Sequence, residues 1–173
     1  MFIAHIPAAF LVIRLLNRKP LPISILAVLS VGGIFPDVDL LRFYLLDNAQ
    51  RHHHEYWTHI PFIWFLIFAL TLSLTSKLKP SSKPIVMVFF IAIFTHLIAD
   101  SLVGDIQWLW PFNNHGFPLV VVPAKFSPWY LSFIFHWTFL LELCLTLSAA
   151  FILIKDKLSC SSDDHRRTKI PRA

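Results

Sequence analysis

The chain is short of charge. Only 14% of its 173 residues are Asp, Glu, Lys or Arg, while 56% are hydrophobic; a soluble domain carries ~25% charged residues. Cysteine is almost missing. Cys144 lies in an apolar run and Cys160 in the polar tail, so neither a disulfide framework nor a CxxC site is available. HExxH, GxSxG, the P-loop and GxGxxG do not occur, which removes the usual support for zincin, serine-hydrolase and nucleotide-binding readings. No internal repeat is visible. The first apolar stretch has no preceding Lys or Arg and is interrupted by His5 and Pro7, unlike a secretory signal peptide.

What is present is a series of long apolar runs, with a mean hydropathy of +0.64. Ile60 to Thr75 has no charge, Ile85 to Ala99 has one histidine, and Trp129 to Ile154 is apolar except for His136 and Glu142. Crossing a bilayer takes ~20 mostly apolar residues. The third run meets that length outright and the first two do so with their flanks. Two shorter runs, Phe2 to Leu16 and Leu21 to Phe35, read as tilted short spans, re-entrant segments or buried helices. The expected fold is an all-α integral membrane bundle with three full spans and five membrane helices in all. Its membrane domain covers residues 1–155. Residues 156–173 read as a polar, disordered tail.

The net charge of +5 sits in short loops and the tail, which is the pattern of an orientation signal and not of nucleic-acid binding. Arg14, Arg18 and Lys19 separate the two N-terminal runs. Lys77, Lys79 and Lys83 lie between the runs starting at Ile60 and Ile85, and Lys155, Lys157, Arg166, Arg167, Lys169 and Arg172 follow the last. Five spans place all three clusters in the cytoplasm, with the C-terminus inside and segments 36–59 and 104–128 outside. That placement uses Lys and Arg alone. It nevertheless sorts the histidines: of nine, only His165 falls on the basic side.

The polar residues on the other side form a constellation. His96 and Asp100, at i and i+4 on one helix face, can share one ion or form a hydrogen-bonded helix-end pair. Asp37 and Asp39 in GGIFPDVD would point the same way from an extended segment after Pro36, and would repel without a cation between them; they read equally as a solvated loop with an Asx cap. His52, His53, His54 and His59 place four imidazoles in eight residues, a bias suited to Zn, Mn or Fe. His54 and His59 are the expected ligand pair, with His52 and His53 as catalytic or supporting groups. The alternative is an interfacial loop with Tyr56 and Trp57 as aromatic belt residues. His115 lies among turn residues and is either a further acid–base group or an ordinary loop histidine. Glu142 is deep in an apolar run and needs a partner, with His5 or a polar group on a neighbouring helix as the options.

Taken together, His5, GGIFPDVD, HHHEYWTH spanning His52 to His59, HLIADSLVGDIQWLWPF and HWTFLLE resemble the bacterial family of predicted inner-membrane metal-dependent hydrolases, which includes a LexA-regulated member. The resemblance runs from about His5 to Glu142. It is also distantly similar to the zinc-dependent phospholipase C and P1 nuclease group, all-α enzymes whose metal ions are held by His, Asp and Glu. That similarity implies Asp37 or Asp39, His59, His96 and Asp100 as ligands. It adds His136 with a departure, since the group uses HxxxE and position 140 is leucine. The group's N-terminal amine ligand has no expected counterpart at Met1, so one or two divalent ions are implied, with zinc first and Mn or Fe as alternatives.

The expected function is a membrane-bound metal-dependent hydrolase of the bacterial inner membrane, with its site on the periplasmic face. Membrane lipids surround it, and its substrate is a small or lipid-linked phosphoester or a similar compound. His52, His53 and His115 are the candidate acid–base groups. The alternatives are a non-catalytic metal-binding membrane protein and a metal or proton transporter. Transport sites lie near mid-bilayer, and of the candidates only Glu142 is placed there.

Overall fold

The computed structural model describes residues 3–47 and 53–167. Among them all regular structure is helical. The elements are α1 (His5–Asn17), α2 (Ile23–Ile34), α3 (Asp39–Leu45), α4 (Pro61–Leu78), α5 (Lys83–Asp100), α6 (Trp129–Ile134) and α7 (Trp137–Arg167). Short 3-10 turns cover Phe35–Val38, His53–Glu55, Trp57–His59 and Pro80–Ser82.

Among the described residues, four helical runs are long and apolar enough to cross a membrane: Ile23–Leu45, Pro61–Leu78, Pro80–Asp100 and Trp137–Ser159. The first joins α2, a 3-10 turn and α3. The sequence suggested that Pro36 ends the helix and leaves an extended DxD segment, but the chain stays helical. Proline near the start of a helical turn costs little there, because its missing N–H needs no partner and its φ is already set. α1 has 13 residues, about 20 Å at 1.5 Å per residue, against a hydrocarbon core of ~30 Å. The run expected from Trp129 to Ile154 is split in two. A tight turn at Phe135 and His136 separates α6 from α7, with the Phe135 N–H on Leu131 O and the His136 N–H on Phe133 O. α7 then continues through Arg167, past the expected boundary at 155.

α5 is the axis of the bundle and packs against α1, α2 and α4. One core cluster joins Ala9, Phe10 and Ile13 of α1 to Leu29, Ala92 and Ala149; another joins Trp64 of α4 to Phe90, Ile93 and Leu97 of α5. Gly32 lets α2 and α5 approach closely, since a Cβ there would fall 2.6 Å from Phe89 O. Small residues at such contacts are how membrane helices gain packing without a hydrophobic driving force.

The helix directions create two unlike ends. α2 and α5 finish, and α1, α4 and α7 begin, at the end that carries His5, Asp37, His59 and Asp100. The segment 101–128 folds over this end, with Leu119 and Val120 N–H groups bonded to Ser101 and Leu102 carbonyls. The clusters around Arg14, Lys77 and Lys155 lie at the other end, where Arg14 Nη2 meets Asp156 Oδ1 at 2.9 Å.

Candidate metal centre

Four side chains from three places in the sequence converge at the histidine-rich end. Asp37 comes from the 3-10 turn after α2, His59 from the turn before α4, and His96 and Asp100 from the last turns of α5. One ligand atom from each lies within 4.8 Å of all the others. His59 Nε2 is 3.7 Å from Asp37 Oδ1 and 3.5 Å from Asp100 Oδ2, and His96 Nε2 is 3.6 Å and 2.9 Å from the same two oxygens. Tetrahedral bonds of ~2.0–2.2 Å separate neighbouring ligand atoms by roughly 3.3–3.6 Å. The four atoms are therefore spaced to hold one cation with little movement.

The far side of each imidazole is tied down. His59 Nδ1 is 2.7 Å from Asp39 Oδ2, and Thr58 Oγ1 donates to that same oxygen. His96 Nδ1 donates to the Gly33 carbonyl at 2.7 Å. A histidine that gives its Nδ1 proton to a carboxylate or carbonyl presents the Nε2 lone pair outward, which is how metal-ligating histidines are oriented. His96 Nε2 is buried and faces Asp100 Oδ2 at 2.9 Å. The donor set therefore fits a divalent cation: two imidazoles, two carboxylates and fixed tautomers.

Burial is nearly complete. His59 and His96 are 0% exposed and Asp100 1%; the Asp37 side chain, at 24%, is the open edge. Burial alone would lower the His59 pKa, but hydrogen bonding to Asp100 and Asp39 outweighs it and pushes the pKa up to about 9. Without a cation His59 holds a proton at neutral pH, and a cation at Nε2 would displace it.

Two further histidines border the cluster. The His5 ring stacks on His96 with centroids 3.7 Å apart, and its Nε2 is 3.4 Å from Asp100 Oδ1 and 4.0 Å from Asp37 Oδ2. His54 Nε2 is 3.8 Å from Asp100 Oδ2, and the ring lies against Gly104, where any Cβ would come within 2.4 Å of it.

This arrangement occupies the span matched by one family profile. The YdjM inner membrane protein family covers residues 1–157. The chain belongs to that family. No curated protein and no solved structure matches it. As a member of the YdjM family it is an inner membrane protein, and its candidate metal-binding residues are Asp37, His59, His96 and Asp100.

The remaining residues singled out in the sequence of this YdjM family member fall elsewhere. Asp39 stands behind His59, with its Oδ2 at Nδ1 while Asp37 Oδ1 faces Nε2, so the two acids lie on opposite sides of that ring and Asp39 is not among the converging atoms. His136 covers the start of α7, with its Nδ1 3.0 Å from Thr138 Oγ1 and accepting the Thr138 N–H at 3.5 Å. His115 is exposed and lines a shallow pocket with Glu55, Asp105 and Gln107. His52 lies outside the described residues, and of His53 the backbone alone is described. Glu142 is fully buried and accepts the Ile3 N–H at 2.7 Å. Sequence reasoning missed Thr58, the Gly33 carbonyl and Gly104 as supports, since none has a chemistry that stands out before folding. The GlyGly pair beside PDVD was the one usable signal.

Proposed function

We propose that this chain is a metal-dependent hydrolase of the bacterial inner membrane, holding a divalent cation on Asp37, His59, His96 and Asp100. Zinc suits the donor set best, with Mn or Fe as alternatives. The observation that carries the reading is the pair of Nδ1 hydrogen bonds, to Asp39 and to the Gly33 carbonyl, which aim both Nε2 atoms at the two carboxylates. His5, beside the other oxygens of Asp37 and Asp100, is the natural extra ligand if a second ion binds.

A cation there would lower the pKa of a coordinated water from 15.7 to ~7 and polarise the bond to be broken. The chain's own residues do the rest. Asp39 and Gly33 keep the imidazoles oriented, segment 101–128 covers the site, and His54 holds or delivers a proton at Nε2 beside Asp100. The distant similarity to the phospholipase C and P1 nuclease group supports a phosphoester, and a site at one end of a membrane bundle supports a lipid-linked one. A purely structural metal site is closed on all sides; the exposed edge at Asp37 favours turnover over inert binding. Transport loses its main support, because the buried Glu142 has a backbone partner at Ile3.

We further propose that the basic end faces the cytoplasm and the metal site the periplasm, as the Lys and Arg clusters require. An impermeant amine reagent would then label Lys77, Lys79 and Lys83 in inverted vesicles and leave them unlabelled in intact spheroplasts; the reverse pattern inverts the molecule. For the chemistry, protein in liposomes should hydrolyse phosphodiester or lipid-linked phosphate substrates, lose activity to a chelator, regain it with zinc, and lack it as Asp100→Ala. Cation-loaded protein inert towards all of these would put the non-catalytic reading in front.

A further inference from the structure

Glu142 is a carboxylate without a part in the cluster. It lies in the second turn of α7 within an apolar span and is 0% exposed. An ionisable group so placed is costly and is retained only against a partner. Its Oε2 accepts the Ile3 N–H at 2.7 Å. Two residues further on is His5, the first residue of α1, whose ring rests on His96 and whose Nε2 is 3.4 Å from Asp100 Oδ1. The start of α1 has no side-chain cap at Ala4. The far end of α1 has a separate tie to α7, the Arg14–Asp156 pair. Helix α1 thus runs parallel to α7 between these two polar ties, and of the two the Glu142 tie is the one at the His5 end.

We infer that Glu142 is a positioning residue, whose carboxylate fixes the entry of the chain into α1 and so holds the His5 imidazole against His96 and Asp100. The docking stands on the bond to Ile3 itself; only the use of His5 in hydrolysis rests on the proposed function.

The test is histidine modification by diethyl pyrocarbonate on the full chain in nanodiscs, read residue by residue by mass spectrometry. In the unsubstituted protein, exposed His115 reacts while His5, His59 and His96 are protected. Glu142→Leu, an apolar change that an apolar span accepts, should raise the His5 rate about tenfold or more, the opening expected on losing one charge-assisted hydrogen bond, with His59 and His96 still protected. Glu142→Gln keeps an acceptor oxygen and should keep His5 protected. The Arg14→Leu/Asp156→Leu double variant releases only the far end and should leave His5 as it was. The inference is overturned if His5 stays protected in Glu142→Leu, or if all three histidines open together, which would mark Glu142 as a general stabiliser. None of these readouts involves turnover, so failure of the hydrolase reading would leave them unchanged.

Discussion

His59 has a carboxylate on each side of its ring: Asp39 Oδ2 at 2.7 Å from Nδ1 and Asp100 Oδ2 at 3.5 Å from Nε2. Its raised pKa of about 9 means that, in the cation-free protein, the protonated ring stabilises the fold fully below the unfolded value of 6.5 and that contribution is lost as pH rises through about 9. Cation binding runs the other way, because the proton must leave. Measured by competition with a chelator, cation affinity should fall as pH drops below about 9. Asp39→Asn should weaken affinity by ~10–100-fold, the usual cost of losing a supporting carboxylate, and move the pH dependence lower. An Asp39→Asn protein with unaltered affinity at every pH would show that Asp39 does not orient His59. At this scale the sequence was only partly legible. The i, i+4 pair His96 and Asp100 could be read directly, because helix geometry fixes it. The roles of Asp37 and Asp39 could not be divided, because that depends on a 3-10 turn where an extended segment was expected.

Helices α2 and α5 must meet closely for the site to form, since Gly33 on one carries the carbonyl that orients His96 on the other. Gly32, where a Cβ would fall 2.6 Å from Phe89 O and 3.0 Å from Ala92 Cβ, permits that approach. Gly32→Ala should therefore destabilise the bundle, because overpacking of ~1–3 kcal/mol outweighs the ~1 kcal/mol that alanine gains in helix propensity. Thermal unfolding in detergent should show a lower midpoint together with weaker cation uptake; an unchanged midpoint would mean that the close approach is not needed. Apolar run length identified α4 and α5 in the sequence. It did not reveal the break before α7, since the turn at Phe135 and His136 contains no glycine or proline and a lone histidine does not interrupt an apolar run. Nor did it show the 23-residue run Ile23–Leu45, because a proline inside a helix normally reads as its end.

Across the whole molecule, one end is basic and the other holds the histidines and the cluster. The segregation was legible because both signals are compositional and the helix directions follow from alternating ends. What the sequence could not supply was which polar residues meet, as that needs the packing of α1 and α2 on α5. His136, implied by a distant resemblance, covers a helix start instead, and His5 lies nearer the cluster than the sequence required. The central claim is that Asp37, His59, His96 and Asp100 hold a cation. Inductively coupled plasma mass spectrometry on protein purified without a polyhistidine tag tests it most directly, beside an Asp37→Ala/His96→Ala/Asp100→Ala variant. About one or two ions per chain should accompany the unsubstituted protein and none the folded variant; an unsubstituted protein that holds no ion after exposure to zinc, manganese and iron would rule the site out.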